Sequence, residues 1–458
     1  MDASLDTLNS GDIAWMLAAS ALVLFMTPGL AFFYGGFVRS KNVLGTIMQS
    51  FIVMGLVGVS WVVIGYTLAF GPDVGSGLIG DLSHFGLKDV GALPDSQAGP
   101  GIPHELFMIF QAMFAIITPA LITGAFAERA KFGPFVAFMV LWSILVYAPV
   151  AHWVFDAEGF IFADIKGLDF AGGTAIHVNA GAAALAAAIC YGRRKGFKEE
   201  PMEPHDVSYI VLGTGILWFG WFGFNAGSAG AASAVAVNAF TVTNTAAAAA
   251  AVAWTGMSWI MLGKPSVVGA AAGAVAGLVA ITPASGYVQP MEAIAIGAIA
   301  GIICFLAVQW RTRSALDDSL DVVAVHGVGG LWGALATGIF IVAASESGGA
   351  TAAEVQGVIH GGTFEQLGRQ ALGVLIVAPF SFVVSFAILK ALDLTVGIRV
   401  SDDDEIAGLD VSQHGERAYI FGGAGPVLGI PEAIPVHTPA PSPQSSTVTS
   451  ASTSGAAQ

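Results

Sequence analysis

Eleven apolar stretches constrain what this chain can fold into: they run near residues 13–36, 43–70, 105–127, 133–153, 169–191, 207–228, 237–262, 266–283, 292–310, 322–343 and 368–391. Each is long enough to cross ~30 Å of hydrocarbon as a helix rising ~1.5 Å per residue. In a bilayer every backbone N–H and C=O needs a partner within the protein, so isolated runs of this length fold as helices. With 11% charged and 55% hydrophobic residues, the chain has too little polar surface to coat a water-soluble globule of 458 residues. The expected fold class is an all-α integral membrane protein with eleven transmembrane helices in a lipid bilayer. The stretch after Met1-Asp2-Ala3 lacks a basic leader and is too long for a signal-peptide core, so it reads as the first span.

An odd number of spans puts the termini on opposite sides. With the N-terminus outside, Arg39, Lys41, Arg129, Lys131, Arg193, Arg194, Lys195, Lys198, Lys264, Arg311, Arg313, Lys390, Arg399 and Arg417 face the cytoplasm, and of the 17 basic residues only Lys88, Lys166 and Arg369 face out. The opposite orientation inverts that ratio, so the basic bias of cytoplasmic loops selects a cytoplasmic C-terminus in a multi-pass cell-membrane protein. The net charge of −15 argues against a nucleic-acid partner. Cys190 and Cys304 lie in apolar runs and read as packing residues. Gly269, Gly273 and Gly277, then Gly297 and Gly301, recur every fourth residue and read as helix contacts.

The expected organisation is a transmembrane domain over 1–392, a cytoplasmic C-terminal region over 393–436 and a tail over 437–458. The tail is rich in Pro, Ser, Thr and Ala, a composition that favours disorder. Within the first region, two five-span halves of about 1–192 and 207–343 are joined by residues 193–206, and span 368–391 follows them. Each half ends on a span opened by an aspartate and carrying a histidine, Asp169 before His177 and Asp321 before His326. Because five is odd, the halves lie inverted, an arrangement that places transporter sites at the repeat interface.

An imidazole in hydrocarbon is costly unless it has a partner or lines a pathway, which makes His177 and His326 functional candidates. Two packing histidines, or a bis-histidine haem, are the rival readings; a haem in a helix bundle would usually bring a second pair. His152, His205, His360 and His414 sit in or beside loops and are expected to face water. Asp169 and Asp321 stand where helix N-termini are capped, so an anchoring role comes first and a cation-attracting field second. Phe107, Phe110 and Phe114 share one helix face, and with Phe155, Trp218, Trp221 and Phe224 they form either generic membrane aromatics or a cation-attracting, water-excluding constriction beside Ser228.

The segment Asp169-Phe-Ala-Gly-Gly-Thr-Ala-Ile-His177 closely resembles the signature of the ammonium transporter family (Amt/Mep/Rh). Family-like blocks continue in order at Pro28–Gly36 with Arg39 and Lys41-Asn42, Ala127-Glu128-Arg129, Trp221–Ser228, Asp317–Asp321 and His326–Gly330. The resemblance spans nearly the whole chain to about residue 420 and favours the microbial and plant branch. It implies the inverted five-plus-five fold with one extra helix, a homotrimer with one pore per subunit, and transport of ammonium or ammonia without a cofactor or resident metal. It is not an enzyme's signature. It further implies substrate recruitment by Phe114, Phe155, Ser228, Trp221 and Asp169, a gate of Phe114 and Phe224, and pore histidines His177 and His326. Phe155 departs from the pattern, since many members carry tryptophan there, the better cation–π partner. Residues 397–419 resemble the family's cytoplasmic regulatory tail, implying docking at the inner pore mouth and a PII-type nitrogen regulatory protein as partner. An ammonium sensor and an Rh-like neutral-gas channel are the alternative functions. An unrelated inverted-repeat transporter would need coupling charges inside the spans, where there are almost none.

Overall fold

The computed structural model describes residues 5–95, 99, 101–342 and 355–419. Among them, ten helices are long and apolar enough to cross a membrane: α1 (Ser10–Phe37), α2 (Ser40–Phe70), α3 (His104–Phe126), α4 (Phe132–Phe155), α5 (Gly173–Tyr191), α6 (Val207–Gly227), α7 (Ala234–Leu262), α9 (Pro290–Arg313), α10 (Val323–Phe340) and α11 (Glu365–Thr395). A shorter apolar helix, α8 (Val267–Ile281), completes the eleven expected from the sequence. It starts on a Ser266 side-chain cap and ends just before Pro283, which has no backbone donor to continue it. Two short helices follow α11, α12 (Asp402–Ala407) and α13 (Leu409–His414). The tail expected over 437–458 lies outside the described residues.

Small residues set the helix contacts. A Cβ on Gly297 would lie 2.2 Å from the Ala246 carbonyl oxygen, one on Gly301 2.5 Å from that of Ala250, and one on Gly277 2.5 Å from that of Ala246. The four-residue glycine spacing therefore does what its pattern suggests, seating α8 and α9 backbone-close on α7. The same device joins α5 and α10. The opening turns of each pack on the body of the other, so the two run antiparallel. At their crossing a Cβ on Gly181 would fall 2.3 Å from Gly327 Cα, and one on Gly330 2.9 Å from His177 Cβ.

Both helices open on a π turn, Gly173–Val178 in α5 and Val323–Val328 in α10, and each turn carries the histidine. A carboxylate tethers each opening. Asp169 accepts the N–H groups of Gly172, Gly173, Thr174 and Ala175 at 2.6–3.0 Å. The counterpart in α10 is Asp318, whose Oδ2 accepts the Val323 N–H at 2.7 Å. Asp318 precedes His326 by eight residues, as Asp169 precedes His177. This corrects the expected pairing of Asp169 with Asp321. Asp321 lies one residue before Val322, too near the helix to reach back over its first turn, and instead takes a left-handed φ of +59° and binds Arg311.

Basic residues gather at one end of the bundle, hereafter the basic face. Here the buried Glu128 carboxylate bridges Arg39 at 2.9 Å and Arg194 at 3.1 Å, and Arg194 also grips Asp317 at 2.8 Å. Burial alone would raise the Glu128 carboxyl, but Arg194 and Arg39 outweigh it and hold the group below the usual range. The fully buried Arg129 donates to the carbonyls of Ala125, Ala127 and Asp317 and to the Ser319 hydroxyl. The segment after α11 docks on the same face. Glu405 accepts the Lys195 N–H at 2.6 Å, the Leu409 N–H donates to Asn42 Oδ1 at 2.8 Å, and Asp410 Oδ1 accepts the Gly45 N–H at 2.8 Å.

Candidate functional site

Three cavities succeed one another through the bundle. At the end opposite the basic face, a vestibule of about 450 Å³ is lined by Phe107, Phe110, Phe114, Phe155, Asp169 and Ser228, among others. Among the described residues Asp169 is the only charged one in that lining. The Ser228 hydroxyl donates to the Phe224 carbonyl at 2.8 Å, which leaves its oxygen lone pairs free to accept from an N–H donor in the vestibule. Four of the five residues expected to recruit substrate thus share one chamber.

Its floor is a pair of phenyl rings. Phe114 meets Phe224 nearly edge to face, with centroids 4.6 Å apart, and Phe110 packs on Phe114 at 4.8 Å. Both gate residues are almost fully buried. Phe114 faces the vestibule, whereas Phe224 lines the next cavity, a constriction of only about 10 Å³. That constriction is walled by Met26, Leu30, Phe33, Ile117, Leu121, Leu217 and Val275, with His177, His326 and Trp221 supplying its polar atoms.

The contact between the two histidines constrains how they share their protons. His177 Nδ1 and His326 Nδ1 lie 3.2 Å apart, and the rings are nearly parallel, with centroids 5.3 Å apart. For two neutral imidazoles a hydrogen bond between two Nδ1 atoms needs a proton on one and a lone pair on the other, so the rings hold opposite tautomers. One Nε2 is then an acceptor and the other a donor. His177 Nε2 is buried with no protein partner, facing a channel whose remaining walls are apolar. Trp221 sits deeper than a recruitment role implies. It lies on the histidine side of the gate, stacked on His177 at 5.4 Å and donating from Nε1 to Thr282 Oγ1 at 2.9 Å. His326 also opens onto a third cavity of about 180 Å³ at the basic face, lined by Phe33, Tyr34, Trp254, Ser258 and Asp321.

An outer vestibule bordered by Asp169, an edge-to-face phenyl pair, a narrow constriction holding two histidines in Nδ1–Nδ1 contact and an inner cavity are therefore arranged in succession. The sequence profile of the Ammonium Transporter Family matches residues 14–419. The chain belongs to the ammonium transporter family. It is 46% identical over 413 residues to an ammonium transporter of Bacillus subtilis, covering 90% of this chain and 99% of that one. It is 45% identical over 412 residues to an ammonium transporter of Archaeoglobus fulgidus, covering 90% and 100%. Among solved structures it superimposes on Mep2 of Candida albicans with a TM-score of 0.80 at 37% identity, over 87% of this chain and 88% of that one. A structure titled as a sensor Amt protein matches with a TM-score of 0.79 at 31% identity, over 88% and 98%.

Within this family chain, two supporting residues escaped the reading of the sequence. Gln370 of α11 accepts the Leu168 N–H at 2.7 Å and donates to the carbonyls of Leu168 and Ala334, so it clamps the peptide next to Asp169. An uncompensated amide in an apolar span was the available signal. His152, expected to face water, is instead fully buried, with Nδ1 against the Ala69 carbonyl at 3.0 Å and Nε2 against Asp73 at 3.2 Å. It ties α4 to the loop after α2, a contact that its position near a helix end concealed. His205 contacts the Val38 carbonyl and the Tyr419 hydroxyl, and His360 lies 3.3 Å from Glu292.

Proposed function

We propose that this protein carries ammonium inward across the cell membrane, with the Asp169 mouth outside and the basic face in the cytoplasm. The single observation that carries the mechanism is the hydrogen-bonded histidine pair in an otherwise apolar constriction. Ammonium gathers in the vestibule under the field of Asp169, donating to Ser228 and resting on the faces of Phe110, Phe114 and Phe155. Below the phenyl gate a bare cation would face a desolvation cost of many kcal/mol, whereas neutral ammonia faces little. Ammonium therefore loses a proton at the gate, and ammonia passes along the imidazole edges. Potassium has no proton to lose and is excluded. The opposed tautomers of His177 and His326 give the released proton a path, so uptake is electrogenic.

The test is current measured on purified protein in liposomes under an ammonium gradient, with potassium as control. The expected result is an ammonium current that potassium does not evoke and that disappears in His177→Ala/His326→Ala. An unchanged current in the double variant overturns the relay. Ammonia flux without current points to the neutral-gas reading, and binding without flux to a sensor, the reading favoured by the sensor-titled neighbour.

The same reading makes the protein a homotrimer and treats residues 393–436 as a regulatory region that follows a transmembrane domain over 1–392. The docked contacts of Glu405, Leu409 and Asp410 support it, because they tie the start of α2 to the segment that follows α5. A PII-type regulatory protein is the partner expected at this face. A pull-down that recovers none under any nucleotide condition removes that partner.

A further inference from the structure

Among the described residues, the inner vestibule has one acidic or basic side chain besides His326 in its lining, Asp321, and the cavity opens directly onto His326. A free carboxylate here would attract the cation that re-forms on the cytoplasmic side of the histidines, as Asp169 attracts it at the outer mouth. It is not free. Arg311, in the last turn of α9, donates from Nε to Asp321 Oδ1 at 2.6 Å and from Nη2 to Oδ2 at 2.9 Å. The two planar groups meet as a bidentate fork, side-chain exposures 14% and 22%, so both oxygens are occupied and the local charge sums to zero. Asp169, by contrast, is held by neutral backbone N–H groups, which orient it and leave its charge uncancelled.

We propose that the Arg311–Asp321 fork is a specificity determinant of the exit: it neutralises the inner vestibule so that ammonium formed there is released rather than retained. This rests on the transport reading above and adds a residue, Arg311, that touches neither gate nor histidine. A structural alternative exists, because Asp321 sits at a left-handed φ ahead of the π turn that carries His326. Charge and scaffold make different predictions for paired substitutions.

Right-side-out membrane vesicles are preloaded with unlabelled ammonium, and initial uptake of isotopically labelled ammonium is followed. Arg311→Gln unmasks the Asp321 charge and is expected to lower the internal ammonium concentration that halves uptake by about tenfold, the effect of one partly screened opposite charge. Arg311→Lys retains the charge and stays near wild type. Arg311→Gln/Asp321→Asn removes both charges and returns the half-inhibiting concentration to near wild type. Asp321→Asn alone leaves Arg311 unopposed and shifts it the other way, which keeps the idea testable if Arg311→Gln fails to insert. A double variant as sensitive as Arg311→Gln, or Arg311→Lys behaving like Arg311→Gln, assigns the fork to scaffolding and overturns the proposal. Normal wild-type uptake with half-inhibition unchanged in Arg311→Gln overturns this inference alone, whereas wild-type vesicles that take up no labelled ammonium overturn the transport reading and this inference with it.

Discussion

The two mouths of the pathway are built from the same antiparallel element and differ in what surrounds each carboxylate. Asp169 and Asp318 occupy equivalent positions, eight residues before a histidine, and each holds the first turn of its helix. Asp169 binds four N–H groups and borders a large open vestibule. Asp318 is fully buried, with Oδ1 unpartnered, and the carboxylate that reaches the inner vestibule is its neighbour Asp321, cancelled by Arg311. An inverted repeat supplies matching scaffolds at both ends, and the two ends differ in the partners each carboxylate finds. In the proposed mechanism an uncancelled charge serves recruitment and a cancelled one serves release.

Breaking the shared scaffold gives the largest effect. Gly181→Val places atoms inside the Gly327 backbone and separates α5 from α10, so no folded, monodisperse protein should survive size-exclusion chromatography. Next come the two tethers. Asp169→Asn keeps the size but loses the charge and part of the N–H binding, and ammonium uptake should fall by roughly hundredfold, since charge-assisted hydrogen bonds contribute ~1.5–3 kcal/mol each. Asp318→Asn should lower uptake far less, and equal losses in flux assays would remove the asymmetry between the mouths.

A smaller effect is expected from Gln370→Leu, which leaves both polar groups of the Leu168 peptide without their clamp. Loosening the segment beside Asp169 should raise the half-saturating ammonium concentration several-fold, for an unsatisfied buried group costs ~1–3 kcal/mol, with the maximal rate less affected. The smallest effect is a pH dependence of stability. Burial first, and the Asp321 carboxylate second, push the Asp318 carboxyl up to about 7. A carboxyl raised in the folded state binds its proton more tightly there than in the unfolded chain. Its stabilising contribution is thus present below the ordinary carboxylate range and is lost as pH rises from about 4 to about 7. Thermal unfolding should show Asp318→Asn gaining on the wild type across that interval, and a constant difference would mean that Asp318 titrates normally.

Much of this was legible in the chain itself. Hydropathy reports burial residue by residue, so all eleven helices emerged near their observed bounds, and the rarity of imidazoles in apolar runs singled out His177 and His326. Phe114 and Phe224 were identified on separate helices, and the structure brings their rings to 4.6 Å. Asp318 was missed because Asp321 stands nearer the span, and proximity in sequence does not reveal which carboxylate can curl back over a helix start. His152 was misplaced for a related reason, since closeness to a helix end says nothing about a loop folding over it.

The sequence by itself determined the solvent, the helix count, the identity of the buried histidines and the family, because each is written in local composition or in contiguous motifs. Only the tertiary structure decided that the imidazoles meet through their Nδ1 atoms, that Trp221 lies below the gate, and that Asp169 is held by backbone N–H groups while Asp321 is paired with Arg311. Those outcomes depend on which side chains converge from distant helices. Electrostatic and hydrogen-bond energies vary over a few ångströms, a resolution that no one-dimensional pattern carries.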